Sequence, residues 1–370
     1  MNKKEIKSIA INTGGGDAPG LNAVIRAVVL SSFNKGWKCY GIREGFNGIL
    51  QPDEYPDGGI VELNPDSVRG ITHLGGTILG TTNRGNPLKY PVKQADGTIQ
   101  EVNRTDEIVQ ALHDRGIDAL VAIGGDGSLH IAHELSLKGL RVMGVPKTID
   151  NDLEKTVITF GFDTAVSFAS NCIDRLHSTA EAHRRIIVIE VMGRYAGWIA
   201  LHTGVSGTAD AILIPEIPYD LEKVAEKIIE REKRGKHFSI VVVAEGAKPK
   251  GGTVSVLGEK EAGRAVRLGG IGERVARELE ILTGKEARAV VLGHLLRGGS
   301  PTNFDRVLSL RFGAAAVRGL AEGRSDCMAA LDPPYVKFVP LSQVAKRMKL
   351  VPLDSDIILT ARELGITFGD

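Results

Sequence analysis

Short runs of Val, Ile, Leu and Ala alternate along this chain with longer stretches in which apolar residues recur every three or four positions. The short runs cover residues 8–12, 38–42, 119–123, 141–145, 186–191, 239–244 and 287–292. Their near-continuous apolar character predicts strands buried on both faces, as in parallel sheets covered by helices. The longer stretches predict those helices. Leu221, Val224, Ala225, Ile228 and Ile229 fall at helical spacing, and Phe168, Cys172 and Leu176 form an i, i+4 stripe. Residues 21–33 and the stretch holding Leu129, Ala132 and Leu135 read the same way. The alternation predicts an α/β protein with mainly parallel sheets. Gly14, Gly124 and Gly193 follow predicted strands directly, where ligand-binding loops of parallel sheets emerge. Residues 50–105, richer in Gly, Pro, Asn and Asp, read as loops with short elements.

Composition changes this picture little. A chain of 370 residues, 42% hydrophobic, has room for a large core and for two domains. A net charge of +1, with Lys and Arg spread along the chain, gives no reason to expect a nucleic-acid or anionic-membrane partner. Cys39, Cys172 and Cys327 are far apart and outside any C-x-x-C pair, which argues against zinc and suits a reducing compartment. No segment approaches a signal-peptide core or a membrane span, so a soluble, cytoplasmic protein is expected.

The candidate chemistry lies in the loops. Gly124-Gly125-Asp126-Gly127-Ser128 sits between a predicted strand and a predicted helix. Its backbone N–H groups can cradle phosphate, and Asp126 can hold Mg²⁺ against phosphate oxygens. A helix cap at Asp126 is the plainer alternative. Thr148-Ile149-Asp150-Asn151-Asp152 supplies two further carboxylates. Asp150 can accept the proton of an attacking hydroxyl, Asp152 can orient that group, and Thr148 can hydrogen-bond a transferring phosphoryl. The alternatives are an Asx-turn or the D-x-D metal site of nucleotide-sugar transferases. Thr13-Gly14-Gly15-Gly16-Asp17-Ala18-Pro19-Gly20 follows the first strand and makes an anion site or a tight turn. Its spacing fits neither the dinucleotide fingerprint nor the P-loop. Arg184, Arg185, Arg194, Arg288 and Arg297 lie at strand ends, where guanidinium forks can bind phosphate. His294, taken alone, reads as structural.

Taken in order, GGDAPG, GGDGS, TIDND, HRR followed by EVMGR, and LGHLLRGGSP resemble the 6-phosphofructokinases of the A family, from Gly14 to about Arg318. The resemblance implies two Rossmann-like three-layer α/β/α domains with the site in the cleft between them. One would comprise residues 1–163 plus 297–346 and bind the donor. The other would comprise 164–296 plus 347–370 and bind fructose 6-phosphate. It further implies Mg²⁺ and ATP, with Gly15, Gly16, Gly125, Asp126, Gly127 and Ser128 on the donor and Asp126 on the metal. Asp150 would be the base on the sugar 1-hydroxyl, with Thr148, Asp152 and Arg194 completing the catalytic centre. Met192, Gly193, Arg194 and Glu245 would line the sugar site, and His294 and Arg297 would grip the sugar phosphate. Arg185 and Arg288 would reach a neighbouring subunit's site, making the protein a homodimer or homotetramer. Asn83 stands where many relatives have arginine, so Arg84, one place later, is assigned to the transferring phosphate.

Relatives use ATP or pyrophosphate. Gly127 resembles the ATP users, because an aspartate there would collide with and repel the α-phosphate of a nucleotide. Lys147 is usual in pyrophosphate users but need not exclude adenine. ATP is therefore expected, with a pyrophosphate-dependent phosphotransferase as the alternative. Arg26 matches one arginine of a bacterial effector site and Leu30 stands where a second is common, so weak or absent effector responses are expected. A nucleotide-sugar transferase, a lipid or NAD kinase sharing a GGDG loop, and a non-catalytic sugar-phosphate sensor are the rival functions.

Overall fold

The computed structural model describes residues 5–256 and 268–370. Among the described residues, thirteen strands form two large sheets and one hairpin. The first sheet holds β1 (Ser8–Thr13), β2 (Lys38–Ile42), β3 (Ile60–Leu63), β6 (Ala119–Gly124), β7 (Arg141–Pro146), β12 (Cys327–Asp332) and β13 (Tyr335–Pro340). Its order is β13-β12-β7-β6-β1-β2-β3, with the central strands parallel and β3 and β13 antiparallel at the edges. The hairpin is β4 (Tyr90–Lys93) with β5 (Ile99–Val102), inside the stretch read as loops with short elements. The second sheet is parallel, in the order β11-β8-β10-β9, from β8 (Ile186–Val191), β9 (Ala211–Leu213), β10 (Ser239–Ala244) and β11 (Ala287–Val291).

Period-2 alternation sends successive side chains of each strand into different cores. Ile9, Ile11, Val121 and Ile123 pack with helices α1 (Leu21–Phe33) and α9 (Asn303–Ala321). Ala10, Leu120 and Ala122 face the other side, with α2 (Asn47–Leu50), α3 (Thr105–Asp114) and α4 (Asp126–Leu137). In the second sheet Ile187, Ile189, Ile240 and Val242 meet α5 (Phe162–His183), α6 (Trp198–Ser206) and α10 (Asp356–Glu363). Ile186, Val188, Val241 and Val243 meet α7 (Leu221–Lys233) and α8 (Ile271–Thr283). Both sheets are thus three-layer α/β/α sandwiches, as expected. The helices read from periodicity at 21–33, 129–135, 168–176 and 221–229 are present in α1, α4, α5 and α7.

One strand departs from the reading. The segment 287–292 was expected to be buried on both faces, but β11 is an edge strand ending at Val291, with Arg288 exposed and Val291 52% exposed. An apolar run alone does not distinguish an edge from a centre.

Connectivity places the site. From β1 the chain passes through α1 to β2, outward in one direction. From β6 it passes through α4 to β7, outward in the other. The order reverses between β1 and β6, and ligands of open parallel sheets sit in the crevice outside such a reversal. The chain then crosses to the second sheet, returns for α9, β12 and β13, and crosses again to end there. Its last residues are built in: Phe368 is fully buried, Ile212 N–H donates to Thr367 O at 2.9 Å, and Asp220 N–H donates to Gly369 O at 2.6 Å. The three cysteines are unpaired, and no described helix is long and apolar enough to cross a membrane.

Candidate active site

The loops after β1 and β6 are joined by Gly14 N–H donating to Ile123 O at 3.0 Å. Gly15 N–H donates to Thr82 O at 2.9 Å, and Thr81 Oγ1 donates to Gly15 O at 2.6 Å. These bonds tie the segment bearing Arg84 to the glycine loop. Arg84 itself is exposed, its N–H held by Thr82 Oγ1 at 3.0 Å. Lys147 lies buried beneath the loop and donates to Gly16 O. Burial and the nearby Arg297 charge pull its pKa down to about 8, against the opposing pull of Asp150, Asp17 and Asp152.

After β6, Gly125 caps α4 and Asp126 is its first residue. Asp126 makes no cap. Its Oδ1 instead accepts Lys346 N–H at 2.7 Å. Gly127 and Ser128 occupy the first turn, where N–H groups and the helix dipole favour anions. A Cβ placed on Gly127 would meet nothing within 4 Å, so that side of the turn is open.

The loop after β7 carries the other carboxylates. Ile149 and Ala18 are buried in the core of the second sheet, which anchors the loops after β7 and β1 across the cleft. Asp150 is 4% exposed; its N–H donates to Thr148 Oγ1 at 3.0 Å. One carboxylate oxygen, Oδ2, lies 4.0 Å from Arg297 Nη2, while Oδ1 is buried without a hydrogen-bond partner. A buried orphan acceptor is costly unless a ligand donor meets it. Burial first, then the Asp150 charge, raises the Asp152 pKa, with Asp126 adding to the push and Arg194 opposing it. Asp126, Asp150 and Asp152 therefore share one electrostatic neighbourhood.

The second sheet faces this cluster with the carboxyl ends of β8 and β10. Met192, Gly193 and Arg194 follow β8, Glu245 follows β10, and Arg194 N–H donates to Glu245 Oε1 at 3.0 Å. Burial raises the Glu245 pKa, and the Asp150 charge adds to it, so the residues from the two sheets sense each other across the cleft. Arg297 reaches over from the turn Gly293–Arg297; its Nη1 donates to Asp17 O at 3.1 Å. His294, in the same turn, is exposed beside a cavity of about 590 Å³ lined by Phe168, Val291 and Leu295.

Two expected site residues lie elsewhere. Arg185 precedes β8 and Arg288 is the second residue of β11, at the opposite end of the sheet from Arg194. Both are held by Glu286, Arg185 through Nε and Arg288 through Nη2. Six residues of strand span roughly 17 Å, so neither reaches the cleft of its own chain.

Sequence reasoning missed the backbone ties from Thr81 and Thr82, and also Lys346 and Lys349, which arrive from some 200 residues away. No local motif marks those two lysines. No group of three or more His, Cys, Asp or Glu able to hold a metal occurs among the described residues. Magnesium does not require one, because it keeps several waters and takes one or two carboxylates plus phosphate oxygens. The half-exposed Asp126 at a helix N-terminus fits that use.

Residues 8–320 match the family model Phosphofructokinase. The chain is 51% identical over 362 residues, 98% of each chain, to a protein of Chloroflexus aurantiacus named ATP-dependent 6-phosphofructokinase. It is 49% identical over 348 residues to one of Amycolatopsis mediterranei named pyrophosphate–fructose 6-phosphate 1-phosphotransferase, covering 94% of this chain and 96% of that one. Among solved structures, phosphofructokinase from Saccharomyces cerevisiae superposes with TM-score 0.76 at 29% identity, covering 91% of this chain and 45% of that one. The chain belongs to the phosphofructokinase family.

Proposed function

We propose, starting from that family membership, that the protein transfers the γ-phosphoryl of ATP to the 1-hydroxyl of fructose 6-phosphate. The single observation that carries this reading is the buried, unpartnered Asp150 Oδ1 in a cleft with a phosphate-binding helix terminus on one side and strand-end residues of a second sheet on the other. Asp150 accepts the hydroxyl proton as the oxygen attacks. Thr148 and Asp152 hold that oxygen in line. Gly15, Gly16, Gly125, Gly127 and Ser128 bind the donor phosphates through backbone N–H groups and the Ser128 hydroxyl. Asp126 would hold Mg²⁺, which would supply positive charge against the donor phosphates. Arg297, between the glycine loop and Asp150, stabilises charge on the group in flight or on the sugar phosphate, with Arg84 at the donor rim. Met192, Gly193, Arg194, Glu245 and His294 form the acceptor side. Arg185 and Arg288, turned from their own cleft, serve a neighbouring copy in a homo-oligomer. The two domains we assign are residues 1–163 plus 297–346 and residues 164–296 plus 347–370, and we place the reaction in the cytoplasm.

The donor is the finer question, because ATP-named and pyrophosphate-named relatives are almost equally similar. Open space at Gly127 supports ATP: a nucleotide has room there, and no carboxylate repels its α-phosphate. Lys147 favours pyrophosphate by type, but its ammonium is engaged with Gly16 O beneath the loop, leaving the nucleotide side clear. A coupled assay for fructose 1,6-bisphosphate is expected to show turnover with Mg-ATP. Gly127→Asp, which meets no neighbour, is expected to fold normally and to lose ATP use. Turnover with pyrophosphate and none with ATP would overturn the donor assignment.

A further inference from the structure

Residues 346–351 pass from the first sheet to the second and touch the site on the way. Lys346 N–H donates to Asp126 Oδ1 at 2.7 Å, and Lys349 N–H donates to Asp152 O at 2.8 Å. Beyond the cleft, Trp198 Nε1 of α6 donates to Lys349 O at 2.9 Å, and Val351 N–H donates to Glu216 Oε1 at 2.9 Å. The Lys349 ammonium turns inward. It donates to Asn151 Oδ1 at 2.8 Å, Thr156 O at 3.0 Å and Val157 O at 3.0 Å. Those three acceptors use all of its donors.

Asn151 stands between the two carboxylates of the catalytic loop. Its φ is +52°, a left-handed conformation that costs energy for a residue with a side chain unless its surroundings hold it. Its Oδ1 also accepts Thr159 N–H at 3.1 Å, so one amide oxygen fastens the loop to the following segment and to Lys349. The charged and aromatic groups around the ammonium are Asp152 and Glu154 from the same loop, with the Trp198 ring 5.4 Å away and His202 further along α6.

We propose that Lys349 is a positioning residue for phosphoryl transfer: by clamping the Asn151 side chain it fixes the backbone turn that aims Asp150 at the acceptor hydroxyl. The inference rests on the role of Asp150 in the proposed function. Lys349 touches neither substrate nor reacting atom, so its loss acts on alignment. A small misplacement of a reacting group lowers turnover more than binding.

The test is steady-state kinetics with Mg-ATP and fructose 6-phosphate on the full chain. Lys349→Met is expected to lose kcat on the order of 10²-fold with both KM values nearly unchanged. Lys349→Arg, which keeps a cation and donors, recovers part of that loss. The double variant Lys349→Met/Asn151→Gly is no slower than the slower single, because each variant already removes the Lys349–Asn151 bond. Wild-type kcat in Lys349→Met, equal losses in the Met and Arg variants, or additive losses in the double variant would each overturn the inference. If Lys349→Met does not fold, Asn151→Gly decides alone, since glycine accepts the left-handed turn: a lowered kcat at constant KM supports the clamp and a wild-type kcat refutes it. Wild-type protein inactive with ATP and with pyrophosphate sinks the functional reading itself and this inference with it. An active wild type with an indifferent Lys349→Met sinks the inference alone.

Discussion

Asp150 keeps one carboxylate oxygen 4.0 Å from a guanidinium and the other in a buried position with no donor. That asymmetry suits a base whose proton arrives with the substrate. Asp150→Asn preserves shape and removes basicity, so kcat is expected to fall about 10²–10⁴-fold while both KM values hold. An unchanged kcat would remove Asp150 from the chemistry. Lys147 gives a pH signature. Its pKa of about 8 in the folded protein means that the free enzyme loses this charge above that pH. The KM for the donor is expected to rise above about pH 8 in the wild type and to stay flat over that range in Lys147→Met. Stability moves the other way. Between about 8 and about 10.4 the unfolded chain holds the lysine proton and the folded chain does not, so this residue's contribution to stability rises with pH. Denaturant midpoints of the two proteins across that range measure it. Residues of this kind were legible because each chemical group lies within a few positions of its motif. Asn151 was legible as a loop residue, but its tie to Lys349 was not, since nothing near residue 349 reports what it will meet.

At the scale of elements, the buried parallel strands were legible because helices on both faces leave no polar positions to break the run. Helix α1 was legible to the residue, bounded by Gly20 and by the turn at Asn34 and Gly36. Strands β12 and β13 were not. Cys327–Asp332 and Tyr335–Pro340 carry charged or polar ends, and β13 alternates exposure as an antiparallel edge strand does. The place of β12 beside β7, with β13 outside it, depends on a return crossing that periodicity cannot announce. That crossing delivers α9 against α1 at close range: a Cβ on Gly313 would stand 2.7 Å from Val24 O and 2.8 Å from Ala27 Cβ. Gly313→Leu must push the helices apart, at a cost of about 1–3 kcal/mol or more. The expected outcome is a lower denaturation midpoint with kcat per folded molecule unchanged, because the residues met there, Val24 and Ala27, are not among those assigned to the site. An unaltered midpoint would show that the helix pair yields freely.

For the whole molecule, the two sheets meet with carboxyl ends of their strands toward one cleft, and this orientation separates Arg185 and Arg288 from their own site. If a neighbouring copy uses them, activity per chain depends on assembly. Specific activity is expected to fall on dilution into the range where sedimentation shows monomers, and Arg288→Ala is expected to raise the KM for fructose 6-phosphate without lowering kcat as Asp150→Asn does. A monomer with full specific activity would refute sharing. The tail carries a different lesson. Phe368 is sealed inside the second sandwich, and Thr367 extends the edge beside β9, while β12 and β13 complete the first sandwich. Neither half can finish from the amino-terminal three-quarters of the polypeptide. On a ribosome, the glycine loops and the carboxylates emerge long before residues 303–340 and Phe368, and a cleft can close around them only after those later residues are made. A chain cut before Phe368 is therefore expected to leave the apolar interior of the second sandwich uncovered.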